Sequence, residues 1–175
     1  VRQLGPETYD TSLNGRTTYG QVFDPETTEL NRLQLVWSPD PAFTATLGRQ
    51  RINLDDQRFI GGSAWRQDEQ TFDAVRIDTR QGRFDASYIY IAHVNRIFAE
   101  DQDWNSDSHV LTAGYSASDQ LRLGGFVYAL DFSSPAQAAI RNQSSLTWGA
   151  KASGKMQAGE FRFDYAATAA RQTDH

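Results

Sequence analysis

The sequence predicts an all-β fold, an antiparallel up-and-down β-barrel with about eight strands. Two observations support this prediction. From Glu29 onward, apolar and polar residues alternate with a period of two, and no stretch keeps the helical period over two or more turns. The connections between the alternating stretches are short and long in strict alternation, as expected for strands that run up and down around a barrel wall.

The first part of the chain contains one short and three clear predicted strands. Residues 1–28 are polar and weakly patterned, with one short strand expected near Tyr19 to Phe23. Leu30 to Trp37 is the first clear strand. A tight turn is predicted at Ser38 to Pro41, because proline has no N–H to donate to a ladder. Phe43 to Gly48 follows, and a long loop rich in Arg, Gln and Asp leads to the strand Phe72 to Thr79.

The middle of the chain adds three strands. A short turn at Arg80 to Gly82 uses a glycine that can supply positive φ. The strand Phe84 to Val94 is apolar on both parities, so its orientation stays open. Asn95 to Ser108 is predicted as a second long loop, before the strand Val110 to Ser116. A short turn at Ser118 and Asp119 leads to Leu121 to Phe132.

The last part of the chain adds two strands. Ser133 to Asn142 is predicted as the third long loop, and the strand Ser144 to Ser153 follows it. A turn is expected from Gly154 to Ala158. The strand Glu160 to Arg171 has the clearest alternation in the chain.

Composition limits the class of protein. The 175 residues suit one domain, predicted over 1–175 with its strands in 29–171, and the chain is expected to be incomplete at both ends. No cysteine is present, which excludes disulfides and Cys-ligated metals, and no cofactor is indicated. A net charge of −5 argues against a nucleic-acid partner. No apolar run is long enough for a membrane helix. The oligomeric state stays open.

The pattern fits a membrane barrel and a soluble barrel. Strands of about 9–11 residues can cross a bilayer at a tilt, and short turns on one side with long loops on the other are typical of outer-membrane barrels. Aromatic residues near strand ends suit interfacial girdles: Trp37, Phe43, Tyr88, Trp148, Phe161 and Tyr165. The alternative is a soluble eight-stranded barrel that binds a small apolar ligand inside.

Basic residues on the polar parity favour the membrane interpretation. Each of five predicted strands carries one: Arg32, Arg76, Arg122, Lys151 and Arg162. If the apolar parity faces lipid, these residues line the interior, where a water-filled lumen can hold charges that a dry core cannot. They are the predicted pore-lining set and favour anions such as carboxylates. The acids Asp78, Glu160 and Asp164 on the same face would reduce that preference.

The long loop after Gly48 holds a second group of candidates. Its arginines, expected at the pore mouth or a constriction, are Arg49, Arg51, Arg58 and Arg66. An equally good interpretation is that these side chains tie the loop down through pairs with nearby acids, which are Asp55, Asp56, Asp68 and Glu69.

Two other patterns suggest a metal site and a hydrolytic site. Acidic and amide residues at alternate positions make a candidate for a weak Ca²⁺ site: Asp101, Asp103, Asn105 and Asp107. The glycine and glutamate of an EF-hand are missing, since Ser106 and Thr112 occupy those positions. His93 and His109, with Ser108 and Asp107, could form a hydrolytic set, but no nucleophile-elbow motif supports it. A barrel-embedded hydrolase is the third interpretation, and no catalytic residue is assigned.

Several segments resemble bacterial outer-membrane porins with an alginate-export-type domain. The longest is GRQRINLDDQRFIGGSAWRQDEQTFDAV, residues 48–75. SYIYIAHVNRIF (87–98), NSDSHVLTAGY (105–115), LGGFVYALDF (123–132) and QSSLTWGAKASGK (143–155) follow. The resemblance implies a larger barrel in the outer membrane of a Gram-negative bacterium, of which eight strands are under half. It also implies lipid and a small hydrophilic or anionic solute as partners. Passive passage of such solutes is the predicted function, and no enzyme activity is expected.

Overall fold

The computed structural model describes residues 8–11, 14–22, 29–63, 69–98, 102–134 and 138–174. Its strands are β1 (Leu33–Asp40), β2 (Phe43–Gln50), β3 (Thr71–Gln81), β4 (Phe84–Asn95), β5 (Trp104–Ser118), β6 (Leu121–Leu130), β7 (Phe132–Ser133), β8 (Ser145–Ala158) and β9 (Phe161–Asp174). A 3₁₀ helix spans Ala138–Gln143. The eight long strands are those that the period-two pattern predicts.

The strands form one antiparallel meander. Each long strand pairs with the next along the chain in the order β1-β2-β3-β4-β5-β6-β8-β9, and the two-residue β7 pairs with β5. Four short turns lie at one end of the sheet and the long connections at the other. This confirms the predicted all-β antiparallel fold. Within the described ranges, β1 and β9 are the two edges and the sheet is not closed.

The register has the stagger of a barrel wall. Directly paired residues form a row across the sheet, and the row that starts at Phe43, the first residue of β2, reaches β9 at Ala169. The residues between them in this row are Thr79, Ala86, Ala113, Gly125 and Ala150. Ala169 lies eight residues beyond Phe161, the first residue of β9. Eight residues over six strand pairings, at about 3.3 Å per residue and about 4.8 Å between strands, correspond to a strand tilt of about 40°. Closed and membrane barrels have tilts of this size.

Glycine fixes two of the four turns. Gly82, between β3 and β4, has a φ of 58°, and Gly159, between β8 and β9, has a φ of 63°. Only glycine adopts this region at no steric cost. The predicted turn at Arg80 to Gly82 is therefore present, although its centre is one residue later in the chain.

Several predicted boundaries are wrong. The turn expected at Ser38 to Pro41 lies at residues 41–42, because β1 continues to Asp40; Pro39 is tolerated in this edge strand, where the register shifts. The turn expected at Gly154 to Ala158 lies at residues 159–160, since β8 pairs with β9 through Ala158.

The loops are shorter and more structured than predicted. Polar residues assigned to the second long loop belong to β5, where Asn105 pairs with His93 and Ser108 pairs with Ile91. The predicted strand Leu121 to Phe132 ends at Leu130. The third loop contains the 3₁₀ helix. Near the start of the chain, a single parallel bridge joins Asp10 to Gln21 in the region of the predicted strand at Tyr19 to Phe23.

The core lies on one face of the sheet, where residues 51–63 of the connection between β2 and β3 pack against it. From this connection, Ile52 is fully buried and Ile60 is 5% exposed. They contact strand residues from β3 to β6, which are Phe72, Ala74, Ile89, Ile91, Val94, Val110, Phe126, Tyr128 and Leu130. We call this the inner face and the opposite one the outer face. The prediction of a single domain over 1–175 stays a prediction.

Candidate functional site

The register divides the strand residues between the two faces, because directly paired residues share a face. On β4, Ile89 and Ile91 are buried on the inner face, whereas Tyr88 and Tyr90 lie on the outer face. This settles the orientation of the strand that the sequence left open. The choice follows from the partners, since Ile89 pairs with Val110, which is also fully buried.

The outer face exposes a continuous set of large apolar side chains. Members on seven strands are between 41% and 72% exposed: Leu35, Trp37, Leu47, Phe84, Leu111, Leu123, Val127, Trp148, Phe161, Phe163 and Tyr165. A soluble protein rarely exposes an apolar patch of more than a few hundred Å². This face therefore needs an apolar surrounding, which counts against the soluble barrel.

The height of the apolar belt can be read on β9. Its outer-face residues carry no charge from Phe161 to Ala169, and Arg171 is the first charged one. Ten residues at about 3.3 Å each and a tilt of about 40° span a height of about 25 Å, the height of the apolar band on outer-membrane barrels.

Aromatic residues gather near the turns of this belt. Trp37 and Phe43 meet edge to face at 5.6 Å, and Phe84 and Tyr115 lie 4.6 Å apart. The aromatic residues predicted for interfacial girdles, including Trp148 and the others named from the sequence, all lie on the outer face. This arrangement is typical of a membrane interface.

Four of the five predicted pore-lining residues share the inner face. Arg76 pairs across the sheet with Ile89, Arg122 with Ser153, Lys151 with Gly124 and Arg162 with Gln157, all in inner-face rows. Arg32 precedes β1 and lies 3.9 Å from Glu69, so its placement on a strand was wrong. Whether this set lines a pore stays a prediction.

Each of these four inner-face cations has a carboxylate partner. Arg76 donates two hydrogen bonds to Asp78, at 2.7 and 2.9 Å, and Arg162 reaches Asp164 at 3.3 Å. With Arg80 and Asp85, the residues Arg76, Asp78 and Arg122 line a cleft of about 490 Å³ at the turn end. The wall is thus a mixed surface and not a bare ring of positive charge.

The Arg122 guanidinium lies flat against the wall. It donates hydrogen bonds to both carboxylate oxygens of Asp85, at 2.5 and 2.6 Å. Gly114 lies directly beneath it, because a Cβ on Gly114 would stand 2.5 Å from the Arg122 Cζ. The absent side chain makes room for the guanidinium.

Lys151 contacts two groups, one of which is held by a third. Its ammonium forms an ion pair with Asp55, in the connection between β2 and β3, and lies 4.5 Å above the Phe126 ring. The Tyr128 hydroxyl donates a hydrogen bond of 3.4 Å to the same Asp55. The connection is thereby attached to the wall between the core and the turn end.

The loop arginines mainly form ion pairs with acids. Arg51 pairs with Glu69, Arg58 lies 3.1 Å from Asp56, and Arg49 makes two hydrogen bonds to Asp73, at 2.8 and 3.0 Å. Arg66 lies outside the described residues. The contacts of Arg51 and Arg58 agree with the interpretation that pairing holds the loop. The assignment of Arg49 to the loop was wrong, because Arg49 lies on β2 and its partner Asp73 lies on the neighbouring β3.

Sequence reasoning missed three members of this surface: Asp55, Asp85 and Gly114. Asp55 was assigned to an arginine of its own loop, and it pairs with Lys151 instead. The signal for Asp85 was its parity on β4, which the two-sided apolar pattern of that strand obscured.

The residues of the weak calcium candidate do not form a loop. Asn105 and Asp107 belong to β5, an extended strand and not a turn-containing loop such as calcium sites use. Asp103 accepts a hydrogen bond of 2.6 Å from the Arg96 N–H, and burial raises the pKa of its carboxyl group. Asp101 lies outside the described residues. Within the described ranges, no group of three His, Asp or Glu could hold a metal ion.

The hydrolytic set is separated by the sheet. Ser108 is fully buried on the inner face and donates a hydrogen bond to the Asp131 carbonyl. His109 and Asp107 lie on the outer face, where the His109 Nδ1 is 2.8 Å from the Tyr88 hydroxyl. His93 lies 3.6 Å from Asp103. A nucleophile and base on opposite faces cannot exchange a proton, so the geometry gives this interpretation no support.

No helix in the described part of the chain is both long and apolar enough to cross a membrane.

A tilted antiparallel wall with an exposed apolar outer belt, and with charged residues on the turn half of its inner face, defines part of a membrane β-barrel. The family model for alginate export matches residues 33–174, and the chain belongs to that family. The family is one of outer-membrane transport pores and not of enzymes. No curated protein and no solved structure matches the chain.

Proposed function

We propose that this protein is a passive pore of the outer membrane for small hydrophilic solutes, with a preference for anions such as carboxylates. The main support for this proposal is that Arg76, Arg122, Lys151 and Arg162 share the inner face, opposite the exposed apolar belt. Arginine and lysine on a lumen wall attract anions, and the arginine fork suits a carboxylate.

The partnering acids moderate that preference. Because each of these cations already has a carboxylate neighbour, a passing anion exchanges with a partner instead of meeting a free charge. Passage requires contacts weak enough to release the solute. Mixed pairs therefore support moderate selectivity and continuous flow.

The test is the reversal potential of the full-length protein in a planar bilayer under a salt gradient. Arg122→Glu is expected to shift the reversal potential toward cation preference. Arg171→Glu makes the same charge change on the outer face and is the matched control, expected to leave the potential unchanged. An equal shift in both variants, or none in Arg122→Glu, would remove Arg122 from the pore wall. Absence of conductance in the unmodified protein would overturn the proposed function.

A further inference from the structure

A cavity of about 320 Å³ lies on the inner face, at the end of the sheet where the long connections begin. Its floor is formed by buried apolar residues such as Phe72, Ile91 and Leu130. Its walls include Phe59, and Trp104 packed 5.2 Å from Phe132. The volume is at the lower end of the range for small-molecule sites, about 300–1,000 Å³.

The polar groups of this cavity lie at its rim. They belong to Arg58, Gln70, Gln143 and Gln172, and the buried Ser145 is the fifth polar residue of the lining. The Gln70 side-chain amide already donates a hydrogen bond of 3.0 Å to the Gly61 carbonyl oxygen. No Asp or Glu belongs to the described residues that line the cavity. The rim thus offers one positive charge and amide groups, without the carboxylates that accept hydrogen bonds from sugar hydroxyls.

We propose that this cavity binds a small aromatic carboxylate, with its ring against the aromatic walls and its carboxylate at Arg58. Aromatic rings pair favourably with other rings beyond the burial of their area. The guanidinium fork matches a carboxylate. A sugar acid fits less well, because its hydroxyl groups would lose water against an apolar floor without finding partners. The inference rests on the proposed function, for which it names a solute class.

The Arg58 contact is suited to a passing solute. Arg58 lies 3.1 Å from Asp56, and the two side chains are 70% and 62% exposed. Exposed pairs of this kind are weak. A solute carboxylate can therefore displace Asp56 and be displaced in turn, which permits binding and release.

The cavity and the basic wall lie on the same face of the sheet, with the basic wall nearer the turns. On β3, Phe72 precedes Arg76 by four residues, and on β8 Ser145 precedes Lys151 by six, which places the cations roughly 13–20 Å farther along the strands.

The experiment titrates benzoate into the full-length protein in detergent micelles, with binding measured by calorimetry at low salt. Benzyl alcohol and glucuronate are titrated in parallel. Benzoate is expected to saturate, benzyl alcohol to bind about ten-fold more weakly because it lacks the charge, and glucuronate not to saturate over the same range. Equal affinity for glucuronate and benzoate would overturn the aromatic assignment.

Two variants locate the site. Arg58→Gln is expected to weaken benzoate binding about five-fold, whereas Arg171→Gln, on the outer face, should leave it unchanged. Trp104→Ala should abolish saturation, and Trp104→Phe, which keeps a ring and guards against misfolding, should retain affinity within about three-fold. Unchanged benzoate affinity in Arg58→Gln and Trp104→Ala would overturn the location.

Conductance separates the two proposals. A protein that conducts ions but does not bind benzoate contradicts only the aromatic site. A protein that binds benzoate but never conducts contradicts only the pore.

Discussion

Asp55, in the connection between β2 and β3, forms an ion pair with Lys151 on β8, a residue 96 positions later in the chain. Asp55 also accepts the hydrogen bond from Tyr128 and has a φ of 52°, in the left-handed region that few non-glycine residues adopt. Gln57 and Ser63 share that region. A connection held in this uncommon geometry, against β3 to β6 and β8, narrows the space that the inner face encloses.

Asp55→Asn should loosen the connection and raise the single-channel conductance. The ion pair is partly exposed, so we expect a loss of about 1 kcal/mol or less in unfolding free energy, while the apolar anchors stay in place. Asp56→Asn is the matched control, because Asp56 pairs only with its neighbour Arg58 among the described ion pairs. Identical conductance in the two variants would contradict a constricting role for the pair.

Gly114→Ala should displace the Arg122 guanidinium, since the new Cβ would stand 2.5 Å from its Cζ. We expect the reversal potential to move toward that of Arg122→Gln, with the barrel still folded. In Gly125→Ala, the nearest atom to the new Cβ is the Gly149 carbonyl oxygen at 3.7 Å, an ordinary contact. That variant should behave as the unmodified protein. A reversal potential in Gly114→Ala equal to that of Gly125→Ala would show that Arg122 keeps its place.

Ile52 tests how firmly the connection is packed. Its side chain is fully buried, so Ile52→Val should cost about 0.5–1.5 kcal/mol of unfolding free energy and Ile52→Ala about 2–5 kcal/mol. Urea unfolding followed by tryptophan fluorescence measures both values. If both variants had nearly the same unfolding free energy as the unmodified protein, this connection would not be part of the cooperative core.

Leu111→Arg tests the lipid contact of the outer face. Leu111 lies seven residues from the turn end of β5, near the middle of the apolar belt. Leu111→Arg should therefore lower the unfolding free energy by about 2–4 kcal/mol. Met156 lies two residues from the end of β8, close to the interface, and Met156→Arg should cost only about 0–1 kcal/mol. Unfolding from liposomes measures the difference. Equal costs at the two depths would argue against a bilayer around this face.

The strand positions could be predicted because alternation is local. In these strands every second side chain faces an apolar surrounding, so apolar and polar residues alternate along the sequence. On β9, for example, Phe161 and Phe163 alternate with Arg162 and Asp164. β4 shows the limit, since both of its parities are apolar. There the direction was set by partners on β3 and β5 that no local pattern contains.

The candidate site was predictable in part for the same reason. Parity alone placed Arg76, Arg122, Lys151 and Arg162 together. Their partners were less accessible, because Asp85 and Gly114 approach Arg122 only through the register of neighbouring strands. For Arg51, the sequence predicted a pair with an acid of its loop but not which acid, because the loop is rich in both charges.

The sequence by itself determined the all-β class, the alternation of short and long connections, the two faces of most strands and the family. The tertiary structure alone decided that residues 51–63 pack onto the inner face, that Asp55 reaches Lys151, and that β5 begins at Trp104. The reason is physical. Alternation acts between adjacent residues, whereas a loop's position depends on which distant surface can bury Ile52 and Ile60 and pair the loop's charges.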